Sequence, residues 1–364
     1  MKRRWPARFA MLAIVGIVAG VAALMGWFVV GLPAGLTGGG EIRIFIRKGA
    51  PFREAADSLA AHGVISSPRM LSIYARARGA DRSLRWGTYI LRPAMGWERV
   101  LESLNAGRGV VHTITIPEGL MLSEIAQVVA EALDITPESV LDAARDTALL
   151  RRLNIPTPTL EGYLFPDTYT LPDGASARDA VHLMVQRFEQ QWKPAWDSIL
   201  PGLKLTRHDI VTLASIIERE VRIAEERPVI AAVYMNRLRI RMPLQADPTI
   251  NYALGRSPGR VLLKDLKVDS PYNTYLNPGL PPGPIGSPGA ASIAAALQPA
   301  NVPYRFFVAA PDGHHEFRRT YAEHLAAIRM VRSPANPDSA AKDSAAKDSA
   351  AKDSAAARPS TKTP

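Results

Sequence analysis

The stretch with most capacity for chemistry is DIVTLASIIEREVRIAEERP, Asp209 to Pro228, which sets Glu218 and Glu220 two positions apart. At roughly 100° per residue, Ile210, Leu213, Ala214, Ile217, Val221 and Ala224 fall on one apolar stripe of a helix. Glu218 lies beside that stripe, next to Ala214, Ser215 and Val221, and Glu220 lies on its other edge, near Leu213, Ile216 and Ile217. A carboxyl half-buried among aliphatic side chains has its charged form disfavoured and its pKa raised, which suits a general acid near neutral pH. The competing reading is a solvated Glu-Arg-Glu face paired with Arg219, Arg222 or Arg227.

Other residues admit rival readings. Glu161 and Asp167, in LEGYLFPDTY, form either a carboxylate pair or two local devices, a loop tie to a backbone amide and a turn start after Pro166. His314, His315 and His324 lack the spacing of a zinc motif, so no metal is expected. Ser215 lacks the nucleophile elbow of a serine hydrolase. The chain has no cysteine, which removes disulfides, thiolate metal sites and thiol nucleophiles.

The elements that must position these groups can be read in order. Phe9 to Leu32 carries no charge and follows Lys2, Arg3, Arg4 and Arg8, which predicts a transmembrane helix over 9–32 with residues 1–8 cytoplasmic. A cleaved signal peptide would have a shorter apolar core and a small-residue cleavage site. A Gly-rich tether, 33–40, follows. Ile42, Ile44 and Ile46 alternate with polar residues, then come Gly49 and an Ala/Leu-rich helix. Ile114, Ile116, Gly119 and the following helix repeat that plan weakly. These short pieces resemble LysM-type glycan-binding modules over 41–112; a small α+β domain without a ligand explains them equally well. Helices are expected over about 177–198 and 209–239. Residues 243–288 are broken by recurrent Pro and Gly, with Tyr and Asn interleaved, and a groove-lining irregular stretch is expected there. A short helix (290–297), a strand (304–309) and a final helix (321–331) close the domain, and the DSAAK repeats of 333–364 predict a disordered tail.

The excess of 44 basic over 34 acidic residues, a formal charge of +10, is diffuse outside the N-terminus. Nucleic-acid binders concentrate such charge, so no nucleic-acid partner is expected.

Several of these stretches, in order and spacing, resemble the YceG-like family of endolytic murein transglycosylases: LEGYLFPDTY, LASIIERE, VYMNRL, LQADPTINY, YNTYLNPGLPPGPIGSPG and HEFRRTYAEH. The resemblance covers roughly residues 1–331. It implies an α+β protein with a membrane anchor, a LysM-like subdomain and a catalytic domain over 113–332. It further implies Glu218 as catalytic acid and Glu220 and Glu161 as supporting residues. Gln245, Asp247, Tyr272, Asn273 and Tyr275 would line the sugar groove, and His315, within a doubled histidine, keeps the family's spacing to Phe317. The implied reaction is cleavage of the MurNAc–GlcNAc bond to a 1,6-anhydro end, without cofactor, at the bacterial inner membrane. Glycan strands and peptidoglycan synthases are the implied partners. A non-catalytic wall-binding scaffold, or a glycosidase pairing Glu218 with Glu161 or Asp247, are the alternatives.

Overall fold

A computed structural model describes residues 40–331 except 94, 108 and 258, together with residue 11 and residues 14–21. Residues 14–21 are helical, but most of the expected anchor and all of the expected tail lie outside the described residues. Among the described residues, no helix is long and apolar enough to cross a membrane.

Among the described residues the fold is mixed α+β with three small two-stranded sheets, and the chain divides into two compact units. The first takes the described residues through Ile114, with Glu131–Ile135 and Tyr169–Ala180. It contains β1 (Ile42–Ile46), α1 (Phe52–Ala61), α2 (Pro68–Ala77), β2 (Gly87–Leu91) and α3 (Trp97–Ala106). Strands β1 and β2 pair antiparallel, Ile42 opposite Leu91 and Ile46 opposite Gly87. The alternation read in the sequence is real: Ile44 and Ile46 are buried and Phe45 between them is exposed. Leu59, Leu71, Tyr74, Tyr89, Val100 and Leu104 complete that core. Ser67 caps α2 by accepting the Met70 N–H, with Pro68 at the first helical turn, where its missing N–H costs nothing. Strands β3 (Val111–Thr115) and β4 (Thr168–Pro172) form the second sheet.

The second unit takes Thr115–Ala130, Thr136–Thr168 and the described residues from Val181 on. Its principal helices are most of α4 (Leu122–Leu133) and most of α5 (Ala177–Gln191), then α6 (Arg207–Glu220), α7 (Arg227–Arg239), α8 (Asp247–Ala253), α9 (Ala290–Leu297) and α10 (Tyr321–Val331). A hairpin of β5 (Phe306–Ala309) and β6 (His315–Arg318) precedes α10. Three sequence expectations are corrected. The helix expected over 209–239 is two, because Pro228 opens a new one and a helix does not run through the residues before a proline. The helix expected over 177–198 likewise stops at Gln191, before Pro194. Within 243–288, α8 forms despite Pro248, since proline is favoured in a first turn.

Helix α6 organises the unit. Thr206 accepts from the Asp209 N–H and the Asp209 carboxylate accepts from Thr206 N–H, a reciprocal cap that fixes where the helix starts. From Ile210 to Ile217 every residue is buried, so the helix threads the core and is partly exposed in its first and last turns. It packs against α7, α8 and α9.

Candidate active site

The C-terminal turn of α6 delivers Glu218 and Glu220 to different places. Residues two apart on a helix lie roughly 200° apart around its axis, so the two carboxyls cannot share a surface. Glu218 turns toward the start of α9. Its Oε1 accepts from Arg227 Nη2 at 3.1 Å and its Oε2 from the Gly289 N–H at 2.9 Å. The Glu218 side chain is 6% exposed. An added Cβ at Gly289 would stand 1.7 Å from Glu118 Oε1, the end of a half-exposed side chain that would have to move aside. Burial and the nearby Glu218 push the Glu118 carboxyl up.

Glu220 faces a cavity of about 1390 Å³, lined also by Gln245, Asp247, Tyr275 and His315; Glu218 is not among the lining residues. Burial is the main reason its pKa rises to about 7, with Asp247 adding to the rise. The Tyr234 hydroxyl donates to Glu220 Oε1 at 2.9 Å and acts the other way, favouring the carboxylate. Tyr234 is fully buried on α7 and its own pKa is raised well above the usual phenol value, so it remains a donor. Across the cavity Tyr275 donates to Asp247 Oδ1 at 2.5 Å.

The backbone around Asp247 is built for position. Gln245 holds φ +50° in the left-handed region, which a non-glycine residue adopts only where its surroundings compel it. The Gln245 N–H bonds Thr274 O at 3.1 Å and the Ala246 N–H bonds Thr274 Oγ1 at 3.0 Å, pinning this turn to the irregular stretch. Asn273 is buried and donates to Leu266 O and Val268 O at 3.0 and 2.8 Å, so it braces that stretch and does not line the cavity. Tyr272 also lies away from the lining and stacks at a tilt on Tyr252, centroids 4.8 Å apart.

Glu161 takes the role of loop tie. Its two oxygens accept the Leu122 N–H at 3.0 and 3.2 Å, capping α4, and burial raises its pKa to about 7. Asp167 accepts from Arg187 Nε at 2.6 Å and from the Thr168 N–H at 2.7 Å, which lower its pKa. The doubled histidine is split by the strand, whose successive side chains point to opposite faces. His314 meets Asp312 and Glu316, whereas His315 turns inward and its Nδ1 lies 2.5 Å from Glu226 Oε2. Glu226 also accepts the His315 N–H at 2.8 Å. Ser215 Oγ donates to Thr212 O and accepts from the Ile285 N–H, a structural use of the hydroxyl.

Sequence reasoning missed Tyr234, Glu226 and the specific pairing of Arg227. A signal for Tyr234 existed, since it sits within VYMNRL on a buried helix and a buried phenol needs a partner. The pairing of Glu226 with His315 joins residues 89 apart in sequence and left no local trace.

The assembled arrangement is a deep cleft with one carboxyl poised near neutrality, a second carboxyl hydrogen-bonded to a phenol, and a carboxylate-held imidazole. A group of this kind suits acid–base chemistry on an uncharged leaving oxygen. The YceG-like family model matches residues 44–330. The endolytic murein transglycosylase of Bacillus subtilis (strain 168) is 35% identical over 312 residues, which cover 81% of this chain and 86% of that protein. The endolytic murein transglycosylase of Streptococcus pneumoniae serotype 2 (strain D39 / NCTC 7466) is 30% identical over 299 residues, covering 74% of this chain and 54% of that one. The crystal structure of a yceG-like protein, lmo1499, of Listeria monocytogenes matches with a TM-score of 0.55 at 33% identity, over 79% of this chain and 98% of that chain.

Proposed function

This chain belongs to the YceG-like family, and from that premise we propose that it is an endolytic murein transglycosylase whose catalytic acid is Glu220. What supports the reading is geometry: Glu220, held by Tyr234, faces a cavity of about 1390 Å³ that Asp247 and Tyr275 also line, and burial pushes its carboxyl up to about 7. In this reading the protonated Glu220 donates to the glycosidic oxygen between N-acetylmuramic acid and N-acetylglucosamine. The substrate's 2-acetamido group supports the oxocarbenium-like centre, as in substrate-assisted glycosidases. Glu220, now a carboxylate, takes the C6 hydroxyl proton while that oxygen closes on C1, leaving a 1,6-anhydro-muramoyl end. One carboxyl serves as acid and then as base.

The assignment reverses the roles expected from the sequence. Glu218, engaged by Arg227 and Gly289, is a positioning residue that ties the end of α6 to the start of α9. Gln245, Asp247, Tyr275 and His315 contact the sugars; Glu161, Asn273 and Tyr272 hold the walls. The uncharged segment 9–32 anchors the chain in the inner membrane with its catalytic unit outside, so that cuts fall in new strands close to the synthases that make them. The unit that starts at β1 supplies glycan contact of the LysM kind.

A second reading has its own support. Asp247 lines the same cavity and helps raise Glu220, and a carboxylate placed opposite an acid can activate water. Mass spectrometry of products from purified strands separates the two. Anhydro ends are the expected result; reducing muramic ends would make the enzyme a hydrolase with Asp247 as its second carboxylate.

A further inference from the structure

Residues 256–268, between α8 and α9, are inside out where they border the cleft. The polar side chains turn inward. Asp265 is 6% exposed, and its Oδ2 accepts the Leu262 N–H at 3.1 Å and Arg256 Nη1 at 3.3 Å. The buried Asn251 donates to Gly259 O at 3.0 Å, and the buried Asn273 holds Leu266 O and Val268 O. The leucines turn outward instead: Leu263 is 85% exposed and Leu262 44%. Both line the mouth of the cavity that Glu220 faces. A single exposed leucine means little, whereas a buried carboxylate beneath two adjacent exposed leucines reverses the usual arrangement. Three inward polar groups fix the backbone, so the apolar pair is presented on a braced turn.

The surroundings of the pair say what meets it. Arg260, Lys264 and Lys267 are exposed and make no hydrogen bond or ion pair among the described residues. The acids of this stretch are Asp265, buried on Arg256, and Asp269, so cations dominate its outer face. An aliphatic tip ringed by Lys and Arg fits the boundary between acyl chains and anionic headgroups. A protein partner fits less well, because lysine is depleted from such interfaces and leucine is under-represented among their hot spots.

We propose that Leu262 and Leu263, with Arg260, Lys264 and Lys267, dock the mouth of the cleft on an anionic lipid surface. This contact is additional to the anchor read in segment 9–32, and it rests on that reading for its strength. Two leucines and three cations bind weakly alone, but a chain already held in the same bilayer docks intramolecularly. The consequence is a cleft that opens at the membrane face, where a strand is cut as it leaves the surface.

The chain has no cysteine, so one introduced residue carries a single dye. Leu263→Cys and Ile240→Cys, each labelled with nitrobenzoxadiazole in the full chain, are reconstituted in two kinds of vesicle. One is phosphatidylcholine alone, and the other is equal parts phosphatidylcholine and phosphatidylglycerol. Ile240 is 51% exposed at the end of α7, outside the loop. In the anionic vesicles the dye at 263 should shift to the blue and be quenched by spin-labelled lipid. It should respond less in the neutral ones, and the dye at 240 should stay in water. Adding Lys264→Gln/Lys267→Gln should lower the docked-to-free ratio roughly fivefold per lysine. A dye at 263 that reports water in both vesicles, an equal response at 240, or a response indifferent to lipid charge overturns the proposal. So does a shift at 263 produced by soluble glycan strands and not by lipid. Flotation with neutral vesicles reads the anchor separately. A chain that floats with a silent 263 keeps the anchor and loses the docking. One that does not float, yet responds at 263 to added anionic vesicles, loses the anchor and keeps the docking.

Discussion

The Tyr234 hydroxyl donates to Glu220 Oε1 across 2.9 Å, joining α7 to the last residue of α6. This bond opposes the effect of burial, so the carboxyl rests near pH 7 as a balance of the two. A value there lets one group give a proton and then take one back at physiological pH.

That balance predicts a pH profile. The acid must be protonated, so activity should be high below about pH 7 and fall as pH rises through it. Tyr234→Phe removes a bond that favours the carboxylate, so Glu220's pKa rises and the alkaline limb of kcat/KM moves to higher pH. The loss of one buried hydrogen bond should cost about 1 kcal/mol of stability. Rate–pH curves for the two proteins check this, and an alkaline limb that stays or moves down contradicts it.

Stability should also follow pH through Glu161. Burial raises its pKa to about 7 in the fold, against 4.5 for an unperturbed glutamate. A carboxyl raised on folding contributes stability that is fully present below the unfolded pKa, declines above it and is lost as pH rises through the folded value. Glu220 adds to the same window. Unfolding free energy should therefore fall between about pH 4.5 and 7. Glu161→Gln should flatten part of that slope in denaturant titrations at several pH values, and an unchanged slope would count against the buried carboxyl.

Gly289 offers a test of the packing beside Glu218. In Gly289→Ala the new Cβ meets Glu118 Oε1 at 1.7 Å, so the half-exposed Glu118 carboxylate must swing away from the start of α9 and from Arg227. A cost of at most about 1 kcal/mol is expected, below the range for overpacking a core, because a flexible side chain gives way. Removing the obstacle in Gly289→Ala/Glu118→Ala should recover most of the melting temperature. Failure of the second substitution to rescue would locate the damage elsewhere.

How much of this was legible in the sequence depended on the range of the interactions. The β1 alternation and the apolar face of α6 are local, with periods of two and 3.6 residues, and both were readable. The break before α7 was also written in Pro228, but the strong apolar content on either side masked it. Which of Glu218 and Glu220 faces the cleft was not legible, because both flank the same stripe. The answer rests on partners from elsewhere in the chain, with Arg227 and Gly289 holding one residue and Tyr234 the other. Asn273 looked like a groove residue by its place in a Tyr- and Asn-rich loop, yet its amide is consumed by two carbonyls of that loop.

The central claim is that Glu220 carries the proton, and it is tested most directly by the rate at which anhydro-muramoyl ends appear on purified strands with the wild type, Glu220→Gln and Glu218→Gln. Each rate is normalised to the folded fraction. A loss of about 10²–10⁴-fold is expected for Glu220→Gln, the range for removing a general acid. Glu218→Gln should lose less, with a lower melting temperature from the weakened Arg227 pair. Full activity in Glu220→Gln alongside none in a well-folded Glu218→Gln would contradict that claim and return the proton to Glu218.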